Sequence, residues 1–94
     1  MNLNLALAKF KKRKEKIMAP LTTLKQGKTS TISKIGEGIT GAERRRLLDL
    51  GIYPGATISH RFNAAPGEPI AYEVLGSIIA LRKEQTENIF MVEE

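Results

Sequence analysis

Glycine and proline cut this chain into pieces so short that a small β-rich domain is the architecture left to it. Between Lys28 and Val92 the β-branched and apolar residues fall in runs of four to eight, each closed by a turn former or a polar stretch. Lys28 to Ile35 carries Thr29, Thr31, Ile32 and Ile35 and reads as a strand. Gly36, Gly38 and Gly41 break it into a loop. Ala56 to Asn63, with Thr57, Ile58 and Phe62, is a second strand, and Ala64 to Pro69 is a loop. Ile70 to Leu75 alternates loosely through Ile70, Tyr72 and Val74, and Gly76 permits a tight bend before Ser77 to Arg82. Lys83 to Asn88 is a polar connection, and Ile89 to Val92 is the last strand.

A single helix lies between the first two strands. Thr40 suits its N-cap, and Glu43, three residues on, completes a capping box. Ala42 to Leu50 are good helix formers apart from Asp49, with Leu47 and Leu50 on one face and Leu48 widening it. Gly51 can end the helix in the left-handed conformation, with Ile52 supplying the accompanying apolar contact. Tyr53-Pro54-Gly55 then turns the chain. About two and a half helical turns are not stable alone, so the helix must pack on the sheet, most simply across one open end. Closing the strands into a small barrel removes the vulnerable sheet edges.

The chain has 94 residues, enough for one domain, 19–94, and a tail, 1–18. It has no cysteine, which excludes disulfides and thiolate metal sites. No apolar run is long enough to span a membrane, and the order of apolar and basic residues at the N-terminus is the reverse of a secretory signal, so a cytoplasmic location is the default. The net charge of +5 resides in the tail: residues 1–18 hold six cations against Glu15, whereas 19–94 hold nine cations and nine acids. Leu3, Leu7, Phe10 and Ile17 fall at helical spacing, interrupted by Lys14. A basic amphipathic helix touching a membrane surface or a partner is one reading, an unstructured tail is another, and a natural start at Met18 is a third. A neutral domain whose aromatics are spaced as core residues does not suggest nucleic-acid binding.

The domain contains no Walker loop, no serine-nucleophile elbow and no zinc-protease helix. The expectation is a binding protein rather than an enzyme. His60 is the one histidine. It reads as an ordinary strand residue, or as a ligand for a divalent transition metal (iron or zinc) together with Glu68 or Glu73 on neighbouring strands. Arg44, Arg45 and Arg46 form the densest charge in the domain. With Tyr53 they are the candidate contacts to an acidic protein patch or to phosphates; otherwise their stems cover apolar neighbours and Asp49 pairs with Arg45 or Arg46. Homo-oligomers are left open.

The run from Arg45 to Gly55, Arg-Arg-Leu-Leu-Asp-Leu-Gly-Ile-Tyr-Pro-Gly, resembles the signature of the FeoA family: an arginine-leucine helix, Leu-Gly, an apolar residue and Pro-Gly. Leu21, Leu24 and Gly27 resemble the family's opening pattern. Pro66-Gly67-Glu68-Pro69 resembles its Pro-Gly-Asp-Pro loop, with Glu68 for the commoner aspartate, and Gly76 to Arg82 resembles its Gly-x-x-Ile-Ala-Leu-Arg strand. The likeness covers roughly residues 20–92 and leaves the tail without a counterpart. It implies an SH3-like barrel of about five strands and a role as a small cytoplasmic accessory of ferrous iron uptake. The implied partner is FeoB, a membrane transporter with a cytosolic GTPase domain. Similar domains close iron-dependent repressors, so a stand-alone metal-binding or metal-sensing domain is the alternative implied.

Overall fold

The computed structural model describes residues 18–63, 66 and 68–92; the expectations for the basic N-terminal segment lie outside them. The strands are β1 (Met18–Pro20), β2 (Thr29–Ile35), β3 (Thr57–Asn63), β4 (Ile70–Val74), β5 (Ser77–Leu81) and β6 (Ile89–Val92). A turn of 3-10 helix, Leu21–Thr23, follows β1, helix α1 (Gly41–Asp49) follows β2, and a single turn, α2 (Lys83–Thr86), precedes β6. All neighbours pair antiparallel in one sheet of order β1-β6-β2-β3-β4-β5, the small all-β, SH3-like architecture expected.

Two details go beyond the sequence reading. Met18–Pro20 is a sixth strand, paired with β6 from Met18↔Val92 to Pro20↔Phe90. Three residues ending in proline carry no strand signal, and only the free side of β6 recruits them. The polar connection after β5 winds into α2, begun by the Arg82 N–H donating to Gln85 Oε1 at 3.0 Å.

Two bulges curl the sheet around its core. Between β2 and β6 the register shifts from Ile32 to Lys34, so Ile32 and Ile35, three residues apart, both point inward. Between β3 and β4 it shifts from His60 to Phe62. Ile58 and His60 are buried, but Phe62, of the same parity, is turned out and 50% exposed. Phe90 alternates with buried Ile89 and Met91, so it faces outward, with Lys34 Nζ 5.5 Å from its ring centroid. Of the aromatics spaced like core residues, Tyr72 alone belongs to the core.

Helix α1 attaches through few residues. Leu47 is fully buried, Leu50 half-buried and Leu48 exposed. Its C-terminus is a Schellman motif: Gly51 N–H donates to Leu48 O and Ile52 N–H to Leu47 O, both at 3.0 Å, with Gly51 at φ 104. Its N-terminus differs from the expectation. Thr40 holds the extended N-cap conformation, but its hydroxyl caps nothing. Glu43 turns away and accepts a bond from Gln85 Nε2 at 3.2 Å, so no capping box forms. A contact with α2, distant in sequence, displaces the local pattern.

The β4–β5 hairpin turns through Leu75 and Gly76 at φ 51 and φ 80. Both central residues of this two-residue turn are left-handed, as type I′ geometry requires. For leucine that conformation costs about 1–2 kcal/mol. The tip rests on the helix cap: a Cβ on Gly51 would lie 2.6 Å from Leu75 Cδ1.

Two stability predictions follow from these contacts. Gly51→Ala forces a side chain into the left-handed region and into Leu75; denaturant unfolding of the variant is expected to show a loss of about 2–3 kcal/mol. Tyr72 is fully buried and its hydroxyl has no hydrogen-bond partner. Burial pushes its pKa from 10.0 up to about 12. The neutral phenol is therefore favoured in the native state. The stability this contributes is complete below pH 10 and drains as pH rises from 10 towards 12 at about 1.4 kcal/mol per unit. Tyr72→Phe is expected to gain about 1 kcal/mol at neutral pH and to flatten that alkaline decline.

Candidate functional site

The three arginines of α1 divide into one structural residue and two free ones. Arg44 is half-buried and directed back at the end of β2. Its Nη1 donates to Gly36 O at 3.0 Å and Ile39 O at 3.2 Å, and its Nη2 to Ile35 O at 3.2 Å. The strand stops at Ile35, and the guanidinium fork gathers the carbonyls that the ladder leaves behind. Arg44 thus ties helix to loop and is not a free contact. Arg45 and Arg46 stay exposed, and neither forms an ion pair with Asp49 or with any other carboxylate among the described residues. Tyr53, in the turn after the helix, is 40% exposed.

The fold adds apolar residues to this end of the barrel. Leu48, one helical turn after Arg45, is 40% exposed, and its carbonyl accepts the Gly51 N–H. Leu75 reaches the same glycine from the β4–β5 tip and is 67% exposed. At Gly51, then, the Leu48 carbonyl and the Leu75 side chain meet. Leu75 reads in sequence as the last residue of a strand. A Leu-Gly pair between two apolar runs is the signal that could have marked it as a hairpin tip instead.

The three metal-ligand candidates do not converge. His60 is buried, and its Nδ1 lies 2.8 Å from Leu24 O, which can only accept, so the ring donates there. Its Nε2 meets the Asn63 side-chain amide at 2.9 Å. Both ring nitrogens are engaged. His60 O also accepts from Gly27 N–H at 2.8 Å, and His60 N–H donates to Lys28 O at 3.0 Å. The residue fastens the Leu24–Lys28 segment to β3. Tyr72 pairs with His60 across the ladder, which turns the next residue, Glu73, to the opposite face, where it sits 3.5 Å from Arg61 Nε. Glu68 Oε1 accepts the Lys83 N–H at 3.0 Å. Among the described residues no three His, Asp or Glu side chains stand close enough to hold a metal, so this donor set does not fit iron or zinc.

A groove of about 430 Å³ is lined by Thr22, Ile70, Leu81 and Thr86. Glu68 and Lys83 flank it. Among the described residues no helix is long and apolar enough to cross a membrane.

Comparison with known proteins gives a consistent outcome. The sequence profile of the FeoA domain matches residues 19–93. A crystal structure of an iron uptake regulatory protein, FeoA, superposes with a TM-score of 0.66 at 26% identity, over 81% of this chain and 97% of that one. The solution structure of FeoA from Chlorobium tepidum gives 0.71 at 29% identity, over 79% of this chain and 70% of that one. FeoA of Stenotrophomonas maltophilia, described as a prokaryotic SH3 domain protein and complexed with zinc, shares the fold at 20% identity with a TM-score of 0.67, over 78% of this chain and 88% of that one. A search of curated protein sequences gave no match.

The bonds at His60 make a structural forecast. His60→Ala leaves the Leu24 carbonyl without its partner and is expected to lower unfolding free energy by about 2 kcal/mol. Elemental analysis should find the same iron and zinc content in variant and wild type; metal that disappears with the imidazole would reverse the assignment.

Proposed function

Because the chain belongs to the FeoA family, with a role in ferrous iron transport, we propose that it is an accessory protein that binds the cytosolic GTPase part of a FeoB-type transporter. Ferrous ion is the cargo of that system, and this domain acts by contact rather than by catalysis, on the cytoplasmic side. The observation that carries the reading is the family match along 75 consecutive residues, 19–93, almost the whole domain. A relative named as an iron uptake regulatory protein supports it.

The contact surface is the C-terminal half of α1 with the turn beyond it. Arg45 and Arg46 offer cations there that no carboxylate among the described residues pairs, and Tyr53 offers an amphipathic ring. Cations without an internal partner are available to an acidic surface at little structural cost.

A second reading is a stand-alone metal-binding or metal-sensing domain. The zinc-bound relative favours it, as does the shared fold of a manganese-dependent repressor, matched at a TM-score of 0.64 and 16% identity. Its ligands would come from contacts between copies of the chain, because His60, Glu68 and Glu73 are separately engaged. Zinc-dependent change in sedimentation would single it out.

The transporter reading is tested by calorimetry with the full chain and the purified cytosolic part of the cognate transporter. Binding is expected, weakened roughly 10-fold or more by Arg45→Glu, with the melting temperature of the variant unchanged. Absence of binding both with and without guanine nucleotide rules out direct contact, and an unchanged affinity removes Arg45 from the surface.

A further inference from the structure

Of the two strands that end the sheet, only one is guarded. β1 is three residues long and closes on Pro20, which has no N–H to offer a further strand. β5 is the other edge, and the usual protections are missing from it. Its five residues, Ser77-Ile78-Ile79-Ala80-Leu81, include no charge and no proline. Its ladder with β4 runs from Val74↔Ser77 to Ile70↔Leu81 without a register shift. Among the described residues, 77–81 make no backbone hydrogen bond outside that ladder. The outward face of this edge is apolar too. Tyr72 and Val74 belong to the core, so Ala71 and Glu73 face outward, and so do their partners Ala80 and Ile78. Phe62 pairs with Ala71 from the other side, which gives a cross-strand row, Phe62–Ala71–Ala80, that stops at the open edge. Phe62 is 50% exposed and Ile78 53%.

We propose that β5 pairs antiparallel with β5 of a second copy of this chain, across a two-fold axis at Ile79, so that one sheet runs through both molecules. Partners in an antiparallel ladder share a face, so a strand meets its own copy only in registers that pair residues of like parity. The axis at Ile79 is the one that overlaps all five residues. Ser77 then lies opposite Leu81 of the second copy, and Ile78 opposite its Ala80. The row Phe62–Ala71–Ala80 is extended by Ile78 of the second copy, a bulky side chain against a small one, and the two-fold axis repeats the match. Charge agrees with this occupant. Glu73, beside Ile78, is met by Arg61. The cleft next to Ala80 is lined by two acids, Glu43 and Glu84, and two cations, Arg46 and Arg82. In the paired register Arg82 comes opposite Gly76, so no like charges face each other across the new ladder. A strand without charge has nothing with which to select an acidic or basic strand of another protein, whereas its own copy supplies the matching apolar row. The inference is independent of the transporter reading.

The test is sedimentation velocity of the full chain over a concentration series, with amide hydrogen exchange followed in parallel. Wild type is expected to dimerise as concentration rises, and exchange of the amides in 77–81 to slow with it. Ile78→Lys and Ala80→Glu each set a charge against an apolar partner and should raise the dimerisation midpoint roughly 10-fold or more. Both positions are exposed, so melting temperatures in dilute solution should stay near that of wild type. Mixed in equal amounts, the two variants bring the new lysine of one chain opposite the new glutamate of the other and keep one native Ile78–Ala80 pair. The mixture should therefore associate within about 3-fold of wild type. Wild type that stays monomeric up to about 1 mM overturns the proposal. Association retained by both variants places the contact elsewhere and overturns it too. Loss in each variant without recovery in the mixture denies the register, and slowed exchange confined to residues outside 77–81 denies the strand; either result is equally fatal.

Discussion

The close approach at Gly51 is the contact on which the arrangement of this domain depends. Its left-handed conformation lets α1 stop in a Schellman motif, so that Leu47 and Ile52, both fully buried, enter the core from either side of the stop. Its missing side chain lets the β4–β5 tip lie against the helix end. The helix buries too little of its own surface to be fixed by hydrophobic packing. It is held instead at its two ends, by the cap at Gly51 and by Arg44, whose guanidinium binds three carbonyls of the Ile35–Ile39 segment. A helix fixed in this way can expose most of its outer face without loosening the domain.

The Leu24–Lys28 segment is secured by a different device. His60 joins β3 to the Leu24–Lys28 segment through both backbone and ring, and that segment follows the short strand β1. Buried polar groups with complete hydrogen bonds fix position more sharply than apolar contacts, because their directions are set. Tyr72, beside His60 at a ring separation of 5.4 Å, supplies bulk without a partner for its hydroxyl. The two residues face the same core and differ only in what lies within reach.

The division among Arg44, Arg45 and Arg46 shows where the candidate site was legible and where it was not. Adjacent helix positions point about 100° apart, so three arginines in a row must meet different surroundings. Sequence alone identifies the cluster; the position of the Ile35–Ile39 loop decides that Arg44 is consumed and the other two are not. Leu75 was invisible as a surface residue because its exposure depends on turn type and on the arrival of Gly51 beneath it. The metal candidates stand apart for a similar reason. Strand neighbours alternate in face, so His60 and Glu73 diverge once Tyr72 is the residue paired with His60.

What the sequence by itself determined was local: the β-rich runs, the helix with its glycine stop, the Tyr53-Pro54-Gly55 turn and the family to which residues 19–93 belong. These depend on backbone preferences and on short-range periodicity, both written in neighbouring residues. Tertiary structure decided the rest. The bulges at Ile32–Lys34 and His60–Phe62 changed which residues face inward, turning Phe62 out against its parity. Gln85 drew Glu43 from the cap, β6 recruited Met18–Pro20 as a strand, and the hairpin tip brought Leu75 to the helix end. Each of these joins residues far apart in the chain, and such contacts are settled only when the sheet has its register.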